Sequence, residues 1–245
     1  MNLIEFNKRT HFSLFLILLW TPFLFFDSVY FDQQFFDGKT ITTIIVLCIA
    51  AFLLWTAPLR LKILMFIMIP LSWFGEYLFS DLFDMYDYRD GTIPFYVPFG
   101  HAGVYTLGWL LTQKYVTPKN TENVKKIVGW FYIIAFPFVI FILKDTLSLL
   151  LGVLFFFALK RKNFLPFYLV MGLLVLYLEL IGTYLEVWKW HSDQGIFHTV
   201  NPPLGAIFLY VGGDLTLNKL TRFLLKKRRK IAQNYKHKKS FTSVN

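Results

Sequence analysis

The sequence holds a single cysteine, Cys48, in 245 residues. That excludes a disulfide framework and any metal site built on thiolates. Charge is also scarce, with Asp, Glu, Lys and Arg supplying 16% of the chain, against about 25% in an ordinary soluble domain. No phosphate-binding loop, dinucleotide fingerprint, Gly-x-Ser-x-Gly elbow or His-Glu-x-x-His helix occurs, which removes the usual support for nucleotide-driven or serine-hydrolase chemistry. No cofactor and no metal set is expected. Gly/Ser-rich linkers and low-complexity segments are missing too, so residues 1–245 are expected to form one domain.

Apolar residues make up 56% of the chain, aromatics 20%, and mean hydropathy is +0.51. This exceeds the apolar share of soluble domains, about 45–50%, and describes an integral membrane protein. The net charge of +10 does not point to nucleic acid, because the basic residues lie between apolar runs and in one tail, as membrane topology requires. Lys8 and Arg9 before an apolar run imitate a secretion signal. Trp20, Thr21 and Pro22 offer no small-residue cleavage site, so a retained first helix is expected.

Apolar runs near the roughly 20 residues that cross a bilayer fall at about 12–30, 41–58, 59–79, 97–116, 127–143, 145–159, 164–187 and 201–219. The expected fold is therefore all-α, a multi-pass bundle of about eight transmembrane helices. The fifth and sixth runs are short and parted only by Lys144 and Asp145, so they form either a tight hairpin or one broken segment. In an eight-helix arrangement the basic loops, from Lys8 to the tail over 220–245, share one face. By the positive-inside rule that face and both termini are cytoplasmic, and the expected location is the cell membrane. The opposite loops are acidic or mixed, from Asp27, Asp32 and Asp37 to Asp81, Asp84, Asp87 and Asp90, then His191, Asp193 and His198. Membrane lipids are the expected partners, and the basic tail either anchors topology or binds anionic headgroups.

One pattern occurs twice. Pro98, Gly100, Tyr105 and Gly108 match Pro203, Gly205, Tyr210 and Gly213 with identical spacing. Upstream, Gly75, Tyr77 and Leu78 match Gly182, Tyr184 and Leu185, and Tyr86 and Tyr88 match Trp188 and Trp190. Coincidence in a chain rich in Phe, Leu and Tyr is the alternative. If real, the duplication relates about 12–116 to about 127–219, with equal orientation and an axis along the membrane normal. The aromatic pairs suit a headgroup interface, and Pro98 and Pro203 suit a first helical turn.

Some polar residues exceed what architecture needs. At a rise of about 1.5 Å per residue, Glu76 and His101 lie roughly 5 Å inside the outer ends of adjacent helices. Tyr105 is one turn below His101. Glu179, Thr183 and Glu186 are expected on one helix face. Carboxylates at such depth are costly and mark a functional interior or a paired charge. A site between the halves would gather Glu76, His101, Tyr105, Glu179 and Asn201. The structural alternative clamps Glu76 to His101 or Arg89. Asp214 is expected to cap a helix or pair with Lys219. His191, His198 and Asp193 match no defined zinc spacing.

The doubled pattern of apolar helix, aromatic-x-aromatic loop and proline-led helix start resembles cofactor-free membrane carotenoid enzymes, the integral lycopene cyclases and carotenoid hydratases. Tyr86, Tyr88, Gly91, Pro98, Gly100 and His101 carry it, with Trp188, Trp190, Gly195, Pro203 and Gly205. The cyclase pattern has a carboxylate after its proline, where Gly100-His101 and Gly205-Ala206 stand here. The resemblance thus implies an acid–base role for His101 or Glu76 rather than cyclisation. The resulting expectation is an enzyme acting on an apolar lipid or isoprenoid. Glu76 or Glu179 would donate the proton, His101 would act as base and Tyr105 as hydrogen-bond partner, with Tyr86, Tyr88, Trp188, Trp190 and Asn201 against the substrate. The rivals are a proton- or cation-coupled transporter or channel, and a non-catalytic assembly protein. An enzyme needs an apolar cavity meeting Glu76 and Glu179. A transporter needs polar residues continuing to Asp214.

Overall fold

The computed structural model describes residues 2–9 and 11–242. Apolar runs become helices because, away from water, each backbone N–H and C=O must be satisfied within its own segment. The first part of the chain forms α1 (Leu3–Arg9), α2 (Phe12–Phe26), α3 (Val29–Gln34), α4 (Lys39–Thr56), α5 (Leu59–Glu76) and α6 (Val97–Tyr115). The second forms α7 (Thr121–Pro137), α8 (Thr146–Arg161), α9 (Pro166–Tyr184) and α10 (Ile207–Thr242). Both α5 and α7 run on as wider π-helical turns, Tyr77–Leu82 and Phe138–Ile142.

Among the described residues, four elements are long and apolar enough to cross a membrane: Lys39–Thr56, Leu59–Leu82, Thr121–Ile142 and Pro166–Tyr184. The sequence led to an expectation of eight, and the difference has local causes. The first apolar run stops after 15 residues because Asp27 closes α2 and Ser28 caps α3, its hydroxyl accepting from the Phe31 N–H at 3.0 Å. α8 has only 16 residues, and Asn163 and Phe164, both at positive φ, end the chain's helical course there. α6 is long enough at 19 residues but dilutes its apolar surface with His101, Thr106, Thr112, Gln113 and Lys114. α10 turns basic after Lys219. It carries the backbone of the expected tail to Thr242; residues 243–245, and the side chains from 228 onward, lie outside the described residues.

The pair of short runs around Lys144 is a hairpin. Lys144 takes a positive φ of 59°, and Asp145 caps α8 by accepting from the Ser148 N–H at 2.9 Å. Outward-facing Trp55, Phe66, Ile134, Phe141 and Phe157 are exposed, a distribution that soluble monomers avoid.

Packing centres on α6 and α10. α6 lies against α4, α5 and α9, while α10 lies against α8, α9 and α5. The two parts of the chain therefore meet along α6–α9 and α5–α10. At Gly108 of α6 a Cβ would collide with the Met171 sulfur of α9, so glycine lets that side chain lie directly against the α6 backbone.

At one end of the bundle the loops close a roof. β1 (Tyr86–Tyr88) pairs antiparallel with β2 (Trp188–Trp190), placing Tyr86 opposite Trp190 and Tyr88 opposite Trp188. A second ribbon, β3 (Asp193–Gln194) with β4 (Phe197–His198), turns through Gly195 at φ 65°. Beside the roof the Arg89 guanidinium lies 2.6 Å from Asp37, 2.8 Å from Asp32, 3.2 Å from Asp27 and 3.3 Å from Asp90, and Lys39 also pairs with Asp90. Burial works against the Arg89 charge, yet the Asp37 bond and the other aspartates push its pKa above the usual range. The acidic loops between 27 and 90 are thus tied to one end.

Candidate functional site

Beneath the roof lies the first polar cluster. Glu76, in the last turn of α5, is buried. One carboxylate oxygen, Oε1, lies 2.8 Å from His101 Nε2 on α6. The other, Oε2, accepts from the Tyr86 and Tyr88 hydroxyls, each at 2.6 Å. A buried carboxylate is tolerable only when paired and hydrogen-bonded, and this one has three partners. The His101 ring stacks on Tyr210 of α10, centroids 4.9 Å apart and planes 5° from parallel.

Glu179, buried on α9, has a matching arrangement built from different chemistry. Its Oε2 accepts from the indole N–H groups of Trp188 and Trp190, both at 3.0 Å. Trp188 reaches it by lying flat over Gly182, where a Cβ would collide with the ring. β1 thus supplies two donors to one carboxylate, and β2 supplies two to the other.

The second cluster lies deeper. Asp214 of α10 is buried and accepts from three donors on three helices. Tyr105 of α6 donates to Oδ1 at 2.6 Å, while Tyr168 of α9 and Asn218 of α10 donate to Oδ2. Tyr168 stands near the start of α9, under the Lys162 ammonium 5.6 Å from its ring. A cavity of about 10 Å³, room for one water, lies between His101 and the Asp214 cluster; His101, Tyr105, Tyr168, Tyr210 and Asp214 line it with Met68 and Met171.

Several expectations change against this geometry. Glu76 and His101 are partners, as their depth suggested, and Arg89 is occupied elsewhere. Tyr105 belongs to Asp214, not to Glu76. Tyr86 and Tyr88 do not point their hydroxyls at headgroups; both rings are buried and the hydroxyls face inward. Asn201 only accepts from the Trp190 backbone N–H at 3.0 Å and is otherwise exposed. Glu186 does not share the Glu179 face, because α9 ends at Tyr184 and Glu186 is exposed in the turn at φ 55°. Asp214 neither caps a helix nor pairs with Lys219. Its importance was readable from the rule applied to Glu179, a carboxylate inside an apolar run; Tyr210 stood out only as the counterpart of Tyr105 in the doubled pattern, and Tyr168 gave no signal beyond being a tyrosine.

His191, His198 and Asp193 do not converge. His198 pairs with Asp193 at 3.5 Å, while His191 Nε2 lies 2.8 Å from Asp87. Asp84, Asp87 and His191 have ligand atoms within 4.8 Å of one another. A metal could bridge them, but all three sit at the solvent-facing edge of the roof and already satisfy one another. Comparison with family models, curated proteins and solved structures finds no match.

Proposed function

We propose that this protein is a multi-pass membrane protein that relays protons or couples a cation across the bilayer through the middle of its helical bundle. The observation that carries the reading is the cavity joining His101 to Tyr105 and Asp214. With it, polar groups continue from the Glu76 cluster past mid-bundle to Tyr168 and Asn218. Such buried ionisable chains, costly in an apolar interior, are the usual equipment of ion pathways. In this reading the roof and the Arg89 latch face outward, the basic loops face the cytoplasm, and α2–α6 with α7–α10 act as two like-oriented halves around the pathway.

An isoprenoid-modifying enzyme would use the same acid–base pair, and the aromatic roof over Glu76 and His101 favours that second reading. It also requires a substrate cavity, commonly about 300–1,000 Å³, whereas the cavity at His101 has room for one water. The test is reconstitution into liposomes under an imposed potential, with internal proton and alkali-cation indicators. Wild-type protein is expected to dissipate a proton or cation gradient, and Asp214→Asn to stop it. A silent wild type, together with a host lipid and carotenoid profile altered by Glu76→Gln and His101→Ala, would replace the relay with the enzyme.

A further inference from the structure

We infer that the ion carried is a proton, and that it travels by Glu76, His101, the cavity, Tyr105, Asp214 and Tyr168 while Glu179 stands outside the route. The inference rests on the relay reading above and adds the ion and its path.

The identity of the ion follows from how the carboxylates are used. Glu76 is met by two phenols and an imidazole, Glu179 by two indoles, and Asp214 by two phenols and an amide. The phenols, indoles and amide all present hydrogen to the oxygens, and His101 Nε2 meets Glu76 as donor or as acceptor according to its tautomer. A sodium or calcium ion needs the reverse, several oxygen lone pairs converging on one point. The cavity does not offer them freely: it has room for about one water, Tyr105 and Tyr168 among its oxygen groups are already bound to Asp214, and Met68, Phe167, Met171 and Val211 form the rest of its wall with His101 and Tyr210. A proton needs only a chain of groups that can both give and accept one.

That requirement separates the two outer carboxylates. A tyrosine hydroxyl is donor and acceptor at once, and neutral imidazole is a donor at one nitrogen and an acceptor at the other. An indole N–H only donates. A proton on Glu76 Oε1 can pass to His101 Nε2, giving imidazolium and carboxylate. The imidazolium then releases its Nδ1 proton to a water in the cavity and returns to neutral. The water passes a proton to the Tyr105 oxygen as the Tyr105 hydroxyl gives its own to Asp214 Oδ1. The Tyr168 oxygen then takes the proton from Asp214 as the Tyr168 hydroxyl, turned away from Asp214, gives its own to a solvent water at the basic end of the bundle. Each step breaks one O–H or N–H bond and forms one, with no other reactant. On the Glu179 side the chain ends at Trp188 and Trp190, which have no lone pair to continue it. The Tyr86 and Tyr88 phenols also remain intact O–H groups: burial first, and then the Glu76 charge, pushes both well above the usual phenol range.

Proteoliposomes loaded with a pH indicator test the inference under a valinomycin-set potential, and parallel vesicles without valinomycin carry sodium and potassium indicators under imposed gradients of those ions. Tyr105→Phe removes one oxygen and is expected to cut proton flux at least about tenfold, equivalent to about 1.4 kcal/mol of barrier. Trp188→Phe with Trp190→Phe is expected to leave proton flux within about twofold, a change worth less than 1 kcal/mol. Thermal unfolding in detergent for each variant separates lost flux from lost fold. Flux of sodium or potassium that Asp214→Asn abolishes, without proton flux, would overturn the proton while keeping the relay. Proton flux that survives Tyr105→Phe, or that falls with the tryptophan pair in a folded variant, would overturn the route. No flux of any ion would overturn the relay itself.

Discussion

The Glu76 cluster and the Asp214 cluster solve one problem, a carboxylate in an apolar interior, by different means. Glu76 draws two of its three partners from a short strand that is held in place by another strand. Asp214 draws its partners from α6, α9 and α10, all fixed by helix packing. The difference teaches that the outer carboxylate depends on loop order whereas the inner one depends on the bundle. Damage at Asp214 should therefore propagate through the whole fold, and damage at the roof should remain local.

The strongest test of that contrast is Asp214→Ala. It leaves two phenols and an amide buried without an acceptor, and breaking a buried polar network of this kind costs about 3–5 kcal/mol. Thermal unfolding in detergent is expected to show a large loss, with Asp214→Asn losing much less. Glu76→Gln, which keeps an acceptor for the phenols, should fall below Asp214→Ala; a larger effect at Glu76 would reverse the comparison. Next in size is Gly182→Ala, whose methyl collides with the Trp188 ring at a cost of about 1–3 kcal/mol. Tryptophan fluorescence should report the displaced ring while helicity by circular dichroism stays unchanged.

A smaller change is expected from Tyr88→Phe, which removes one of two phenols on Glu76 and costs about 1 kcal/mol. The smallest concerns His191. Its hydrogen bond to Asp87 raises its pKa above the ordinary 6.5, with the Asp87 and Asp84 charges adding to the effect. A raised folded-state pKa means that the stabilisation is fully present below the unfolded value and is lost as pH rises through the folded one. The unfolding temperature should decline slightly over that window, and His191→Gln should flatten the slope. A slope unchanged in His191→Gln would show that the roof edge does not depend on this pair.

The sequence made Glu76 and His101 legible as neighbours, because helical rise and an interior carboxylate are local properties. It also marked Glu179 as buried. It could not reveal which way Tyr86 and Tyr88 face. Their orientation is set by pairing with Trp190 and Trp188, about a hundred residues away, and no local pattern encodes a partner at that distance. Helix ends were misjudged for a similar reason. From Phe25 to Tyr30 only Asp27 and Ser28 interrupt an apolar stretch, yet Ser28 offers its hydroxyl to a new helix start and breaks the run. For Asp214, expected to cap a helix or pair with Lys219, the sequence carries the interior carboxylate but not its partners, which come from positions as far apart as Tyr105 and Asn218.

The β1–β2 ribbon also governs the order in which the molecule can be made. Its two strands lie on opposite sides of four intervening helices in the chain, and Asp87 meets His191 across 104 positions. Contacts of such separation bear a late, entropically expensive closure. While only the first six helices have been made, Tyr86 and Tyr88 have no strand to pair with. The covered state of Glu76 is therefore a product of completed assembly, so a chain truncated before Trp188 would carry the carboxylate without its finished roof.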